Sequence, residues 1–345
     1  MVWLPLLVTA ALASQPTAEN PRRIILDVDP GIDDAMAMLF AMRSPELQIE
    51  AITVVAGNVV VDQGATNALA LVELAGRPDI PVAKGASRPL VRKLSTAELI
   101  HGEKGLGETA LPAPTKTLDP RHAVDLIVEI VRENPGEITL VPVGPLTNIA
   151  LALLREPELA SWVPEIILMG GSIVGGNASP AAEANIHNDP EAARVVFRSG
   201  IPITMVGLGA TGQTRITRAH LPRLEAGASP LGRYVAELAD FYLRFSERLG
   251  FEGTSLHDPL AVGLAIDKSL AREMRAMHID VETQGELTTG ETVANRSLYL
   301  EVVEDLGDRT RLSNFPRIEP NADVPIVIDS ERFSSLFFER LTTER

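Results

Sequence analysis

Short apolar runs alternate with longer amphipathic stretches along most of this chain. "RIILDVD", from Arg23 to Asp29, reads as a compact strand, and "DDAMAMLFAMR" directly after it takes up a helical period. "IEAITVVAG" predicts a second strand, and "VDQGATNALALVELAG" a helix stopped by Gly76. The amphipathic helix "HAVDLIVEIVREN" ends before Pro135, and the strand "EITLVPV" leads into the helix "LTNIALALLRE". The strand "PEIILMGG" is followed by the helix "PEAARVVFRSG", with Pro190 at its start and Gly200 at its end, and then by the strand "PITMVGL". From Thr217 to Lys268 the pattern turns helical, with "SPLGRYVAELADFYLRFSERLG" as the longest candidate. "MRAMHIDVET", "RSLYLEVVE" and "DVPIVID" predict further strands, and "SERFSSLFFERLTTE" a last helix. Repeated strand–helix units imply right-handed crossovers and an α/β fold: an open, mainly parallel central sheet with flanking helices and a helical lobe over one edge.

Composition agrees with this reading. Hydrophobic residues make up 45% of the chain and aromatic residues only 4%, so the core is built from small aliphatics, as suits a helix-covered sheet. No composition break divides residues 21–345, which read as a single domain. Residues 1–20 differ: an apolar run from Val2 to Ala13, a small-x-small cleavage site at Ala11–Ala13 and a polar spacer resemble a secretory signal peptide. This predicts a periplasmic or secreted protein. The absence of Lys or Arg before the run favours the cytoplasmic alternative. Nothing else is long and apolar enough to suggest a membrane partner.

Charge narrows the chemistry. The net charge is −15, with a sequence pI near 4.9, which disfavours nucleic acid and admits cations and small neutral molecules. With no cysteine, disulfides, thiolate nucleophiles and Cys-ligated zinc are excluded.

The acids concentrate in "DVDPGIDD", Asp27 to Asp34. A Pro30–Gly31 turn followed by a helix start accounts for Asp33 and Asp34, which favour the positive helix end. It leaves Asp27 and Asp29, placed on one side of the strand by its two-residue period. Like charges so close call for raised pKa values or a cation. Oxygen-only donors favour Ca²⁺ or Mg²⁺ over zinc, and the spacing is not that of an EF-hand. Further ligands must come from elsewhere, and Asp258 in "LHDPLA" is a candidate, although His257–Asp258 before Pro259 also reads as a plain helix cap. In open parallel sheets, ligands bind beyond the carboxyl ends of the strands. Asp27–Asp34, Gly57–Asn58, Val143–Asn148 and Met169–Asn185 all fall on that rim.

"DVDPGIDDAMAM", "VVAGNV", "VPVGPLTNIALAL", "MGGS…GN…AEANIHNDPEAA" and "HDPLAV" together resemble the inosine-uridine-preferring nucleoside hydrolase family, from Ile24 to the C-terminal helix. The resemblance implies hydrolysis of the N-glycosidic bond of ribonucleosides to ribose and free base, with a Ca²⁺-bound water activated by an aspartate. It implies Asp29 as general base and metal ligand, with Asp34, Asp258 and the backbone carbonyl of Val143 as further ligands. Asp33 would accept from the ribose 2′-hydroxyl; Asn58, Asn177, Glu183 and Asn185 would grip the sugar, with Met169 beneath it. His257 would protonate the departing base, and Asp27 would support the loop. The family also implies a homodimer or homotetramer.

Weaker candidates accompany these. His101 in "LIHGEKGLGE" is either a substrate contact or part of a polar surface loop, and Lys104 stands where relatives often carry an acid. His187 reads as part of a helix cap. Phe241, Tyr242 and Phe245 form a stripe that suits the core or a lid over the base. Two rival functions use the same residues: a Mg²⁺-dependent phosphohydrolase, disfavoured by Pro30–Gly31 and the acidic rim, and an exported nucleoside-binding protein without catalysis, disfavoured by the presence of Asp29 and His257.

Overall fold

In the computed structural model, which describes residues 15–294 and 319–344, the apolar runs become the strands of one eight-stranded sheet. These are β1 (Arg22–Val28), β2 (Leu47–Val54), β3 (Val82–Lys84), β4 (Ile138–Pro142), β5 (Ile166–Met169), β6 (Ile203–Val206), β9 (Ala271–Met277) and β12 (Ala322–Ile328). Two small antiparallel ribbons complete the numbering: β7 (Arg215–Ile216) with β8 (Thr254–Ser255), and β10 (Ile279–Val281) with β11 (Thr292–Ala294). The helices are α1 (Ile32–Met42), α2 (Val61–Leu74), α3 (Glu98–His101), α4 (Ala123–Glu133), α5 (Thr147–Arg155), α6 (Leu159–Trp162) and α7 (Ala184–Asn188). After them come α8 (Pro190–Phe197), α9 (Leu208–Thr211), α10 (Leu221–Glu225), α11 (Pro230–Arg248), α12 (His257–Ile266) and α13 (Ser330–Thr342).

The strand order is β3-β2-β1-β4-β5-β6-β12-β9. Every neighbouring pair from β3 to β12 is parallel, and only the edge pair β12–β9 is antiparallel. The order reverses between β1 and β4, and such a switch point opens a crevice beyond the strand ends. The acidic loop after β1 and the Val143 loop after β4 are its two lips.

Two apolar layers cover the sheet. Ile24, Leu26 and Val28 of β1 join the core with α1, α11, α12 and α13, whereas Ile25 joins the opposite core with α4, α5 and α8. The alternation is the two-residue period of the strand made visible in packing. Phe40, Phe333 and Phe337 meet edge to face or stacked and tie α13 to α1.

One predicted strand is divided. "MRAMHIDVET" breaks at His278, β9 pairing with β12 while β10 turns away to pair with β11. Asn321 holds the break, accepting from the Ile279 N–H at 2.7 Å and donating to the Ile279 carbonyl at 2.9 Å. The predicted strand "RSLYLEVVE" lies outside the described residues.

Candidate active site

Asp34 organises the loop after β1. Its Oδ2 accepts from the Gly31 N–H at 3.0 Å and its Oδ1 from the Asp29 N–H at 3.0 Å, so a carboxylate in the first turn of α1 ties the turn back on itself. Asn58, after β2, donates its side chain to Asp34 Oδ2 at 3.0 Å and its backbone N–H to Asp29 Oδ2 at 2.7 Å. Asp29 Oδ1 is buried and has no hydrogen-bond partner among the described residues. The chain can approach Asp29 this closely because both flanking positions are glycine. A Cβ on Gly57 would lie 2.1 Å from Oδ2, and one on Gly144 2.4 Å from Oδ1.

Asp27 faces elsewhere. Its Oδ1 accepts from the Thr53 hydroxyl at 2.6 Å and from Asn148 Nδ2 at 2.8 Å, while Asn148 Oδ1 accepts from the Ala86 N–H at 2.8 Å. Asp27 thus ties β2 and the start of α5 to β1, and Asn148 extends the tie to the loop after β3.

Asp258 reaches the loop because α12 packs on α1. Carboxylate oxygens of Asp33, Asp34 and Asp258 lie within 4.8 Å of one another, and all three residues are buried. Burial, reinforced by the neighbouring carboxylates, raises Asp29 and Asp258 well above the usual carboxylate range. Burial is also the main cause that lifts Asp33 and Asp34 to about 6. No protonated base compensates. The His101 Nδ1 accepts the Ile32 N–H at 3.0 Å, and burial lowers this imidazole to about 4. The sequence had left open a surface loop for His101; the ring is instead 5% exposed, 5.7 Å from the Tyr242 ring centre and 3.8 Å from Asp33 Oδ1. Buried, like-charged, oxygen-only groups with unpartnered Asp29 Oδ1 and Asp33 Oδ1 are the donor set a hard cation requires. The cluster can hold a metal ion.

Above it opens a cleft of about 600 Å³. Asp29, Asn58, Asn177, Asn185 and His257 are on its wall; Asp33, Asp34, Asp258, His101, Met169, Val143 and Glu183 are buried and off its wall. Asn185 Nδ2 donates to the Val143 carbonyl at 2.7 Å and contacts the Met169 carbonyl at 3.2 Å, joining the lips after β4 and β5. Glu183 caps α7, accepting from the N–H groups of Asn185, Ile186 and Gly171 at 2.9, 3.1 and 3.0 Å. Asn177 Oδ1 accepts from the Ala184 N–H at 2.9 Å. His257 opens α12, with Nδ1 2.8 Å from the Thr211 hydroxyl. Burial, then the charges of His101 and Arg215, push it down to about 4, so the ring is neutral near pH 7.

The aromatic stripe on α11 divides between roles. Tyr242 and Phe245 line the cleft, whereas Phe241 packs on Gly107 and under the Arg244 guanidinium. His187 is also on the wall, and the Lys104 carbonyl accepts from Asn67. Arg215 and Ser95 line the cleft too, and neither carries a local sequence signal, whereas Asn188 beside them belongs to the family motif "AEANIHNDPEAA". Arg215 arrives through β7–β8 pairing and Ser95 on the long loop after β3.

Fold and site define an α/β protein with a cleft for a small molecule over a buried carboxylate cluster that can hold a metal ion. The chain matches the inosine-uridine preferring nucleoside hydrolase family over residues 24–335 and belongs to it. It is 46% identical over 277 residues to a pyrimidine-specific ribonucleoside hydrolase of Photobacterium profundum, covering 80% of this chain and 89% of that one. To the pyrimidine-specific ribonucleoside hydrolase of Salmonella arizonae it is 42% identical, covering 92% and 97%. Among solved structures it superposes on a plant nucleoside hydrolase with a TM-score of 0.85 at 39% identity, covering 93% and 99%. On the purine-preferring ribonucleoside hydrolase of Gardnerella vaginalis the TM-score is 0.83 at 34% identity, covering 93% and 98%. The enzyme is a ribonucleoside hydrolase, and its substrate is a small nucleoside.

Proposed function

We propose that this hydrolase cleaves pyrimidine ribonucleosides with Ca²⁺ held under the cleft by Asp29, Asp34, Asp258 and the Val143 carbonyl. The buried carboxylate cluster carries the reading, because without a cation its charges oppose the fold. The oxygen-only donors suit Ca²⁺. When bound, Ca²⁺ offsets that charge and orients substrate and water oxygens, acting only weakly as a Lewis acid.

Asp29 is the base. Asn58 fixes its Oδ2, and the unpartnered Oδ1 takes a proton as the water oxygen bonds to C1′ and the C1′–N bond breaks. Positive charge develops on the ribose in such cleavages, and the carboxylates below it favour that charge. Asp33 takes the 2′-hydroxyl; Asn58, Asn177, Glu183 and Asn185 hold the remaining sugar oxygens, over Met169. With the Thr211 hydroxyl donating to Nδ1, His257 offers Nε2–H to the departing base. The two pyrimidine-specific relatives support the base preference. Assembly as a homodimer or homotetramer belongs to the same reading and is decided by light scattering.

Ribose release from uridine, cytidine, inosine and adenosine tests the function. Release abolished by Asp29→Asn is expected. Phosphate release from 4-nitrophenyl phosphate, with no ribose from any nucleoside, would overturn it.

A further inference from the structure

The cleft is electrically polarised. Asp29 lines it, with Asp33, Asp34 and Asp258 buried beneath, and among the described residues the one Lys or Arg on its wall is Arg215. Arg215 lies on β7 across from Ser255 of β8, two residues before His257, so it stands at the His257 end. Among the described residues, many other arginines of this acidic chain form ion pairs, Arg218 and Arg244 beside the same lobe among them. Arg215 forms none among the described residues: its Nε donates to the Gly212 carbonyl at 3.2 Å, and its terminal nitrogens have no partner there.

We infer that Arg215 selects the leaving base, its free guanidinium nitrogens donating to the 4-carbonyl oxygen of a pyrimidine and holding the negative charge that gathers there. The inference rests on the N-glycosidase reading, with the base at the His257 end. As C1′–N1 breaks, the electron pair stays with the base and spreads onto its carbonyl oxygens. The water oxygen bonds to C1′, the water proton goes to Asp29, and the base leaves hydrogen-bonded to His257 Nε2–H and is then protonated by solvent. A cation at the base end and carboxylates at the sugar end oppose the two charges of this transition state. Guanidinium donates only, so an amino group at the same place meets N–H against N–H. The site therefore prefers uridine over cytidine.

The test is kcat/KM of the full-length, Ca²⁺-supplemented enzyme for uridine and cytidine, with Arg215→Met and Arg215→Lys. Wild type is expected to favour uridine. Arg215→Met should reduce the uridine-to-cytidine ratio about 10- to 100-fold, mostly in kcat, the size expected for losing a charged hydrogen bond. Arg215→Lys should restore part of kcat but less of the ratio, because ammonium keeps the charge without the planar fork. Wild-type preference for cytidine would overturn the inference without any variant. An equal loss on both substrates, or a ratio within about twofold of wild type, would overturn it as well. So would Arg215-dependent cleavage of uridine 5′-monophosphate in preference to uridine, which would move Arg215 to a phosphate. Failure of the wild type to release ribose from any nucleoside would instead remove the hydrolase reading beneath it.

Discussion

Asp34 Oδ1 accepts the backbone N–H of Asp29 at 3.0 Å, so a candidate metal ligand also positions the candidate base. The two jobs separate by substitution. Asp34→Asn keeps an amide oxygen for one N–H but loses the charge, and activity should fall more than about 100-fold with the fold retained. Asp34→Ala leaves the Asp29 and Gly31 N–H groups unpaired and should also lower the stability of the metal-free protein by about 1–3 kcal/mol. Thermal melts with and without Ca²⁺, beside ribose-release rates, check this. Full activity in Asp34→Asn would exclude it as a ligand.

Metal and protons should compete. Asp27 is raised to about 7, and Asp33 and Asp34 to about 6, by burial above all. The folded chain therefore binds these protons more tightly than the unfolded one, and metal-free stability falls as pH rises from about 4 to about 7. A cation reverses that penalty, so the rise in Tm on adding Ca²⁺ should be larger at pH 8 than at pH 5. EGTA should remove both the rise and the activity. An equal Ca²⁺ shift at both pH values would count against metal binding by the cluster.

Gly57→Ala drives a methyl group to 2.1 Å from Asp29 Oδ2, and Gly144→Ala drives one to 2.4 Å from Oδ1. Either should reduce kcat more than about 100-fold by displacing the base by roughly an ångström. Gly136→Ala is the comparison: no atom lies within 4 Å of its added Cβ, although its φ of +83° adds backbone strain. It should cost stability and spare kcat. Equal kcat in all three proteins would show that the close approach is irrelevant.

Asn148 bridges Asp27 Oδ1 and the Ala86 N–H. Asn148→Ala should cost about 1–3 kcal/mol, because the Ala86 N–H is left unpaired in a buried setting. A urea titration measures it, and a loss under about 0.5 kcal/mol would show that the bridge is dispensable.

Much of this molecule was legible in its periodicities. The two-residue alternation of β1, Ile24 and Leu26 against Ile25, and the helical period from Asp33 onward are local properties, and both survive unchanged in the fold. The divided strand at His278 was not legible, because Asn321, which holds the break, lies far along the chain. Tyr242 and Phe241 look alike as members of an apolar stripe, yet one lines the cleft and the other packs on Gly107. Their assignment depends on which neighbour each face of α11 meets.

By itself the sequence determined the succession of strands and helices, the crowding of acids at one strand end and the motifs of the family. Tertiary structure alone decided the strand order that puts the switch point between β1 and β4, the packing of α12 on α1 that delivers Asp258, and the β7–β8 pairing that brings Arg215 beside His257. The physical reason is range. Periodicity and capping act over a few residues, whereas gathering buried carboxylates is unfavourable locally and is sustained only by packing between segments far apart in the chain.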